Sequence, residues 1–309
     1  MKNKKRVLAL LLTAIFAVGI LAGCGGSSAS NESSAPKMVT YQSEKGPVQV
    51  PANPKRIAVL ASSYTGNLLS LGITPIGIEQ WAKDNKFYEG KLDKVEVITP
   101  DSLEKLLALK PDLIITFSTD KNIKKYQEIA PTVALTYEKY TYLEAHLEIG
   151  KLVGKEKEAK AWVEKWNKQT TEAKAKVQAT LGNNTTATVF ETFGKELYVY
   201  GNNWGRGTEI IYQALGIKAP KKVEKDVFGP GYKAISSEVI PQYAGDYLFV
   251  GKGDATADNS YLQTSVWKQI PAVQKGNVFF FDSSSFYFND PISLEKELDF
   301  IVSSLTKAK

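Results

Sequence analysis

A chain of 309 residues, 43% hydrophobic and 23% charged, has room for about two domains, and its ordinary globular composition excludes wholesale disorder. Lys2, Lys4, Lys5 and Arg6 supply four of its six net positive charges, and residues 1–23 hold no acid. The rest of the chain carries only +2, which speaks against a nucleic-acid partner. A single cysteine, Cys24, and a single histidine, His146, exclude an internal disulfide framework and a transition-metal site built from His and Cys.

Residues 2–6 are basic, and residues 7–22 form an apolar run interrupted only by Thr13 and Gly19. The run is short for a membrane span but fits the core of a secretory signal. It ends in Leu21-Ala22-Gly23-Cys24, which resembles a bacterial lipobox. Residues 1–23 are therefore expected to be a lipoprotein signal peptide. Cys24 is expected to become the lipidated N-terminus, anchoring the protein to the outer face of the cell membrane. Residues 24–37, rich in Gly, Ser, Ala and Asn, read as a flexible tether.

Short strand-like runs follow at 56–60, 76–78, 113–117 and 133–136, and again at 187–190, 197–200, 247–250 and 278–282. Helical patterns such as 103–109 and 209–215 lie between them. Strands alternating with helices predict an α/β fold with parallel pairing. The halves repeat a spacing: Glu104 precedes Asp112-Leu113-Ile114 by eight positions, and Glu238 precedes Asp246-Tyr247-Leu248 by the same eight. Two similar α/β lobes are expected, at 38–142 and 185–309.

Between them, at 143–184, lies a charged helical connector. Residues 156–181 contain no Gly or Pro, and Ala159, Trp162, Val163, Trp166, Ala173 and Val177 recur near the helical period. A helix of this length extends about 39 Å. Periodicity alone fits a bridge between two lobes or an ordinary surface helix equally well. His146 falls on a helical stretch and is expected to be exposed or packed, without a ligand role.

Several stretches resemble the siderophore-binding lipoproteins of bacterial ATP-driven importers, in particular the ferric hydroxamate binders of Gram-positive bacteria. They are Asn53-Pro54-Lys55-Arg56-Ile57-Ala58-Val59, Leu103-Glu104-Lys105 with Lys110-Pro111-Asp112-Leu113-Ile114, Asn289-Asp290-Pro291 and, most specifically, Tyr198-Val199-Tyr200-Gly201-Asn202-Asn203-Trp204-Gly205-Arg206-Gly207. The resemblance implies two lobes joined by a single long helix, with a ligand cleft between them. It further implies a monomer that carries a ferric hydroxamate siderophore to the permease subunits of an importer. Iron would travel inside the siderophore, so no protein cofactor or metal site is implied. Glu104 and Glu238 are the implied permease-docking residues.

The chemistry of such a cargo agrees with the residues. An oxygen-rich iron shell suits an Arg fork, and its methylene flanks suit aromatic walls. Trp204 and Arg206 offer both in one Gly-rich loop after a strand, where open α/β folds bind ligands. Taken alone, Trp204 fits core packing and Arg206 fits a salt bridge. By resemblance Tyr198, Trp204, Arg206 and Tyr287 contact the ligand. Tyr64, Trp81 and Tyr137, each placed after a strand, are further cleft candidates.

Two other readings are open. A secreted hydrolase would need an activated nucleophile, but there is no Gly-x-Ser-x-Gly elbow and the one histidine stands outside any motif. A binder of ferric catecholate, haem or cobalamin shares the fold. A trianionic catecholate would want several converging cations, and only Arg206 is well placed.

Overall fold

A computed structural model describes residues 36–99, 101–253 and 256–307. The expected signal peptide, Cys24 and nearly all of the tether lie outside the described residues. The body begins with a hairpin of β1 (Met38–Ser43) and β2 (Gly46–Pro51).

The first lobe is built on β3 (Ile57–Leu60), β4 (Gly77–Ile78), β5 (Glu96–Val97), β6 (Leu113–Phe117) and β7 (Thr132–Leu135). The order is β5-β4-β3-β6-β7, and every pair is parallel. Ile57, Ala58, Val59, Leu113, Ile114 and Ile115 are fully buried, because a parallel sheet is covered on both faces and its central strands must be continuously apolar. Helices α1 (Thr65–Ser70) and α2 (Leu103–Ala108) lie in its crossovers.

Helix α3 (Tyr142–Leu152) opens with a reciprocal cap between Thr141 and Glu144, and its Ile149 and Leu152 pack into the first-lobe core. Helix α4 (Glu156–Leu181) spans the stretch read as the connector and ends at Gly182, whose φ is +77°. Its Ala159 packs in the core of the first lobe, and its Trp166 and Val177 pack in that of the second. One rod thus contributes to both interiors.

The second lobe holds β8 (Ala187–Phe193), β9 (Glu196–Tyr200), β10 (Tyr232–Ile235), β11 (Tyr247–Gly251) and β12 (Val278–Phe281), ordered β10-β9-β8-β11-β12. Here the expectation of parallel pairing is corrected: β9 runs antiparallel to both β8 and β10. The link from β8 to β9 is only Gly194-Lys195, with Gly194 at φ +59°. Two residues make a hairpin and cannot make the long crossover that a parallel pair needs.

The repeated spacing has a structural cause. Asp112, just before β6, accepts hydrogen bonds from the backbone N–H of Lys55 (2.7 Å) and Arg56 (2.9 Å), just before β3. Asp246, just before β11, accepts from the backbone N–H of Thr186 (2.9 Å), just before β8. In each lobe one aspartate ties together the starts of the two central strands.

The last helix, α5 (Pro291–Lys307), belongs to both lobes. It packs on α4 and on α1. Asp290 Oδ2 accepts a hydrogen bond from Tyr88 Oη of the first lobe (2.5 Å), and Ser293 Oγ accepts one from Asn85 Nδ2 (3.2 Å). A Cβ at Gly66 would stand 1.8 Å from Asp290 Oδ1, so α1 can approach only because residue 66 lacks a side chain.

Candidate functional site

The segment after β9 turns three times in the left-handed region: Gly205, Arg206 and Gly207 have φ of +68°, +58° and +76°. Non-glycine residues rarely adopt this conformation, and the flanking glycines share the turn with Arg206. Gly205 also lies against the carbonyl of Tyr287, where a Cβ would sit 2.5 Å from the oxygen. The Arg206 N–H donates to the Phe286 carbonyl at 2.6 Å. The loop is therefore fastened to the segment that carries Tyr287.

This places the Arg206 guanidinium between two phenol rings, with Cζ 4.5 Å from the Tyr200 centroid and 4.1 Å from that of Tyr287. Its Nε donates to Glu191 Oε2 at 2.8 Å and its Nη1 to the Trp204 carbonyl at 3.0 Å. Tyr200 Oη donates to the same Glu191 oxygen at 2.8 Å. Among the described residues Nη2 makes no hydrogen bond. Burial disfavours the charge on Arg206, but the Glu191 carboxylate together with the Tyr200 and Tyr287 phenols more than offsets that and holds the guanidinium protonated.

Arg206, Trp204 and Tyr287 form the second-lobe side of a cavity of about 520 Å3. Its first-lobe side carries Glu79, Trp81, Phe117, Ser118, Thr119 and Tyr137. Two aromatic stacks span the lobes: Tyr137 on Trp204 at 5.3 Å and Trp81 on Tyr287 at 4.9 Å between centroids. Trp81 also stacks on Phe193 at 6.1 Å. Glu79 Oε2 accepts from the Ser62 N–H (3.0 Å) and Oγ (2.6 Å). Burial pushes its carboxyl above the ordinary carboxylate range, and the Ser62 bonds oppose that. Behind the loop, the buried Glu209 accepts from the Gly205 N–H (3.0 Å) and from Asn289 Nδ2 (2.9 Å).

Of the candidates named from sequence, Trp81, Tyr137, Trp204, Arg206 and Tyr287 line this one cavity. Tyr198 lines an adjoining space of about 310 Å3 with Tyr200 and Tyr232, sharing Trp204, Arg206 and Tyr287 with the first. Tyr64 is a correction. The chain leaves β3 into a tight helical turn at Ser62–Tyr64 that directs this ring inward. It is 3% exposed in the first-lobe core and packs against Phe117. His146 is also fully buried, its Nδ1 3.0 Å from Asn67 Oδ1. Glu104 and Glu238 are exposed at matching places, each in a helical turn upstream of an aspartate-tied strand. Helix α2 is capped at Ser102 without a side-chain hydrogen bond, and Glu104 makes none with Asp101. Sequence reading missed Glu191, Tyr200 and Glu79. The available signal for Glu191 was a carboxylate inside the apolar run Val189-Phe190-Glu191-Thr192.

A family model described as "Periplasmic binding protein" matches residues 57–284. The iron(3+)-hydroxamate-binding protein FhuD of Bacillus subtilis (strain 168) is 41% identical over 303 residues, covering 95% of this chain and 96% of its own. The structure of FhuD from S. pseudintermedius superposes with a TM-score of 0.81 at 36% identity, over 87% of this chain and 98% of its own. FhuD2 of Staphylococcus aureus, solved with bound ferrioxamine B, gives 0.79 at 37% identity over 82% and 99%.

Proposed function

The chain belongs to the periplasmic binding protein family, and from that premise we propose that it captures a ferric hydroxamate siderophore and hands it to an ATP-driven importer. The observation that carries the reading is the Arg206 guanidinium, clamped between Tyr200 and Tyr287 at the wall of the interlobe cavity with Nη2 unused. A planar cation held at the wall of a cleft with a free donor suits the clustered carbonyl and oxime oxygens of a hydroxamate iron shell. The surrounding rings of Trp81, Tyr137 and Trp204 suit its methylene arms. Among the described residues no group of three His, Cys, Asp or Glu side chains is placed to hold a metal ion, and in this reading the siderophore supplies every iron ligand.

Residues 38–142 and 185–309 act as the two jaws and 143–184 as the connector. The protein works as a monomeric binder and returns its cargo unchanged. Cys24 carries the lipid that retains it at the outer face of the membrane, and Glu104 and Glu238 meet the two permease subunits. Titration with a ferric trihydroxamate, read by Trp fluorescence or calorimetry, tests the cargo: stoichiometric binding is expected, and no heat and no quenching would refute it. Processed Cys24→Ala protein should appear in the medium; its retention on membranes would refute the anchor.

A further inference from the structure

Among the described residues, the cation lining the main cavity and the one lining the space beside Trp81 each already have a carboxylate. Arg206 is paired with Glu191 inside the second lobe. Lys86, which lines the adjoining cavity below Trp81, is paired with Asp282 across the lobes. The converse does not hold. Glu79 and Glu138 both line the main cavity, and neither forms an ion pair among the described residues. Glu79 Oε2 is engaged by Ser62, whereas its Oε1 makes no hydrogen bond among the described residues. Asp120 adds further negative potential beside it.

We infer that the cleft selects iron chelates by charge and that Glu79 receives a protonated amine carried by the chelate. The inference rests on the proposed function and narrows its cargo to hydroxamate complexes that are neutral or cationic overall. A polyanionic chelate would meet two unpaired carboxylates, and the one cation lining the main cavity, Arg206, is already charge-balanced by Glu191 although its Nη2 is free among the described residues. Like charges brought together in a cleft disfavour the wrong partner, which adds to any attraction for the right one. A chelate bearing an ammonium gains instead, because Glu79 is half-buried among aromatic walls where an ion pair is screened less than at the surface. Its carboxyl, disfavoured by burial, is relieved by such a partner.

The test uses two probes with one iron shell: ferrioxamine B, a linear trihydroxamate with one free primary amine, and its N-acetyl derivative, in which that charge is removed. The intact protein should bind the amine form about 10-fold tighter. Glu79→Gln, which keeps an acceptor for Ser62, should abolish the preference between the two forms. Ferric citrate, a polyanionic complex, should bind at least about 100-fold more weakly than either. Equal affinity of the intact protein for the two hydroxamates would overturn the charge selection and leave the proposed function standing, and needs no variant to be folded. A Glu79→Gln protein that lost affinity for both alike would reduce Glu79 to a support for Ser62. Failure of the intact protein to bind either would overturn the proposed function itself.

Discussion

Arg206 Nε lies 2.8 Å from Glu191 Oε2, and both side chains are buried. The pair joins a cavity-facing cation to the interior of β8, so loss of binding and loss of stability are separable. Arg206→Ala should weaken ferric hydroxamate binding by about 10- to 100-fold, and Arg206→Lys should recover only part of it. Arg206→Ala alone also strands a buried carboxylate, costing about 3–5 kcal/mol in denaturant unfolding. Adding Glu191→Gln should restore much of that stability and none of the affinity. Wild-type affinity in the folded double variant would refute the ligand role.

Gly205 carries a second expectation. Alanine there must hold φ near +68° with its Cβ 2.5 Å from the Tyr287 carbonyl oxygen. The loop and the Tyr287 segment must separate, dispersing the aromatic clamp on Arg206. Calorimetric titration of Gly205→Ala should show binding reduced at least about 10-fold. Gly182→Ala, at positive φ with ψ near 180° but with open space around it, should cost about 1–3 kcal/mol and leave binding intact.

His146 should make the fold acid-sensitive. Burial holds its folded pKa down at about 4, against 6.5 for the unfolded chain, and its Nε2 has no hydrogen-bond partner among the described residues. Above pH 6.5 neither state is protonated and the residue contributes no pH dependence. Between 6.5 and about 4 only the unfolded state binds the proton, so stability falls, by about 3 kcal/mol in total. Burial raises the carboxyl pKa of Asp290 and Glu297, which acts in the opposite sense on acidification. Denaturant curves for wild type minus His146→Gln isolate the histidine, and a flat difference across that window would refute the expectation.

The exposed pair Glu104 and Glu238 should matter to transport alone. Surface replacements of this kind shift stability by about 0.5 kcal/mol or less, so chelate affinity should stay within about twofold. Uptake of a radiolabelled ferric hydroxamate by cells carrying Glu104→Ala with Glu238→Ala should fall to near background. Normal uptake would remove the docking role.

The parts of this molecule that sequence made legible are those governed by local periodicity. Helix α4 runs from Glu156 to Leu181 as its apolar spacing and the absence of Gly and Pro required. The eight-residue interval in each half marked Asp112 and Asp246 as equivalent before their backbone contacts were visible. The loop from Trp204 to Gly207 was readable because three unusual residue types coincide after a strand. Depth was not readable: Tyr64 and Tyr137 both follow strands, yet one ring turns into the core and the other faces the cleft. Nor was Glu191, whose role depends on an arginine 15 positions later that folds back over the carboxyl end of β8.

Among the described residues helix α5 follows all twelve strands, yet it is the piece that seats Asp290 beneath Gly66 and against Tyr88. During synthesis and export the first lobe therefore emerges with one flank uncovered, and its partner residue is 224 positions away. The second lobe waits for the same helix, because Leu294, Leu298, Ile301 and Leu305 pack in its core with Tyr200 and Phe286. A translation product that stopped short of residue 290 would contain Tyr137, Trp204, Arg206 and Tyr287 without the contact that holds the two halves in register. The contact that joins the two walls of the cleft is thus supplied by Asp290 and the helix it precedes, none of whose residues lines the main cavity.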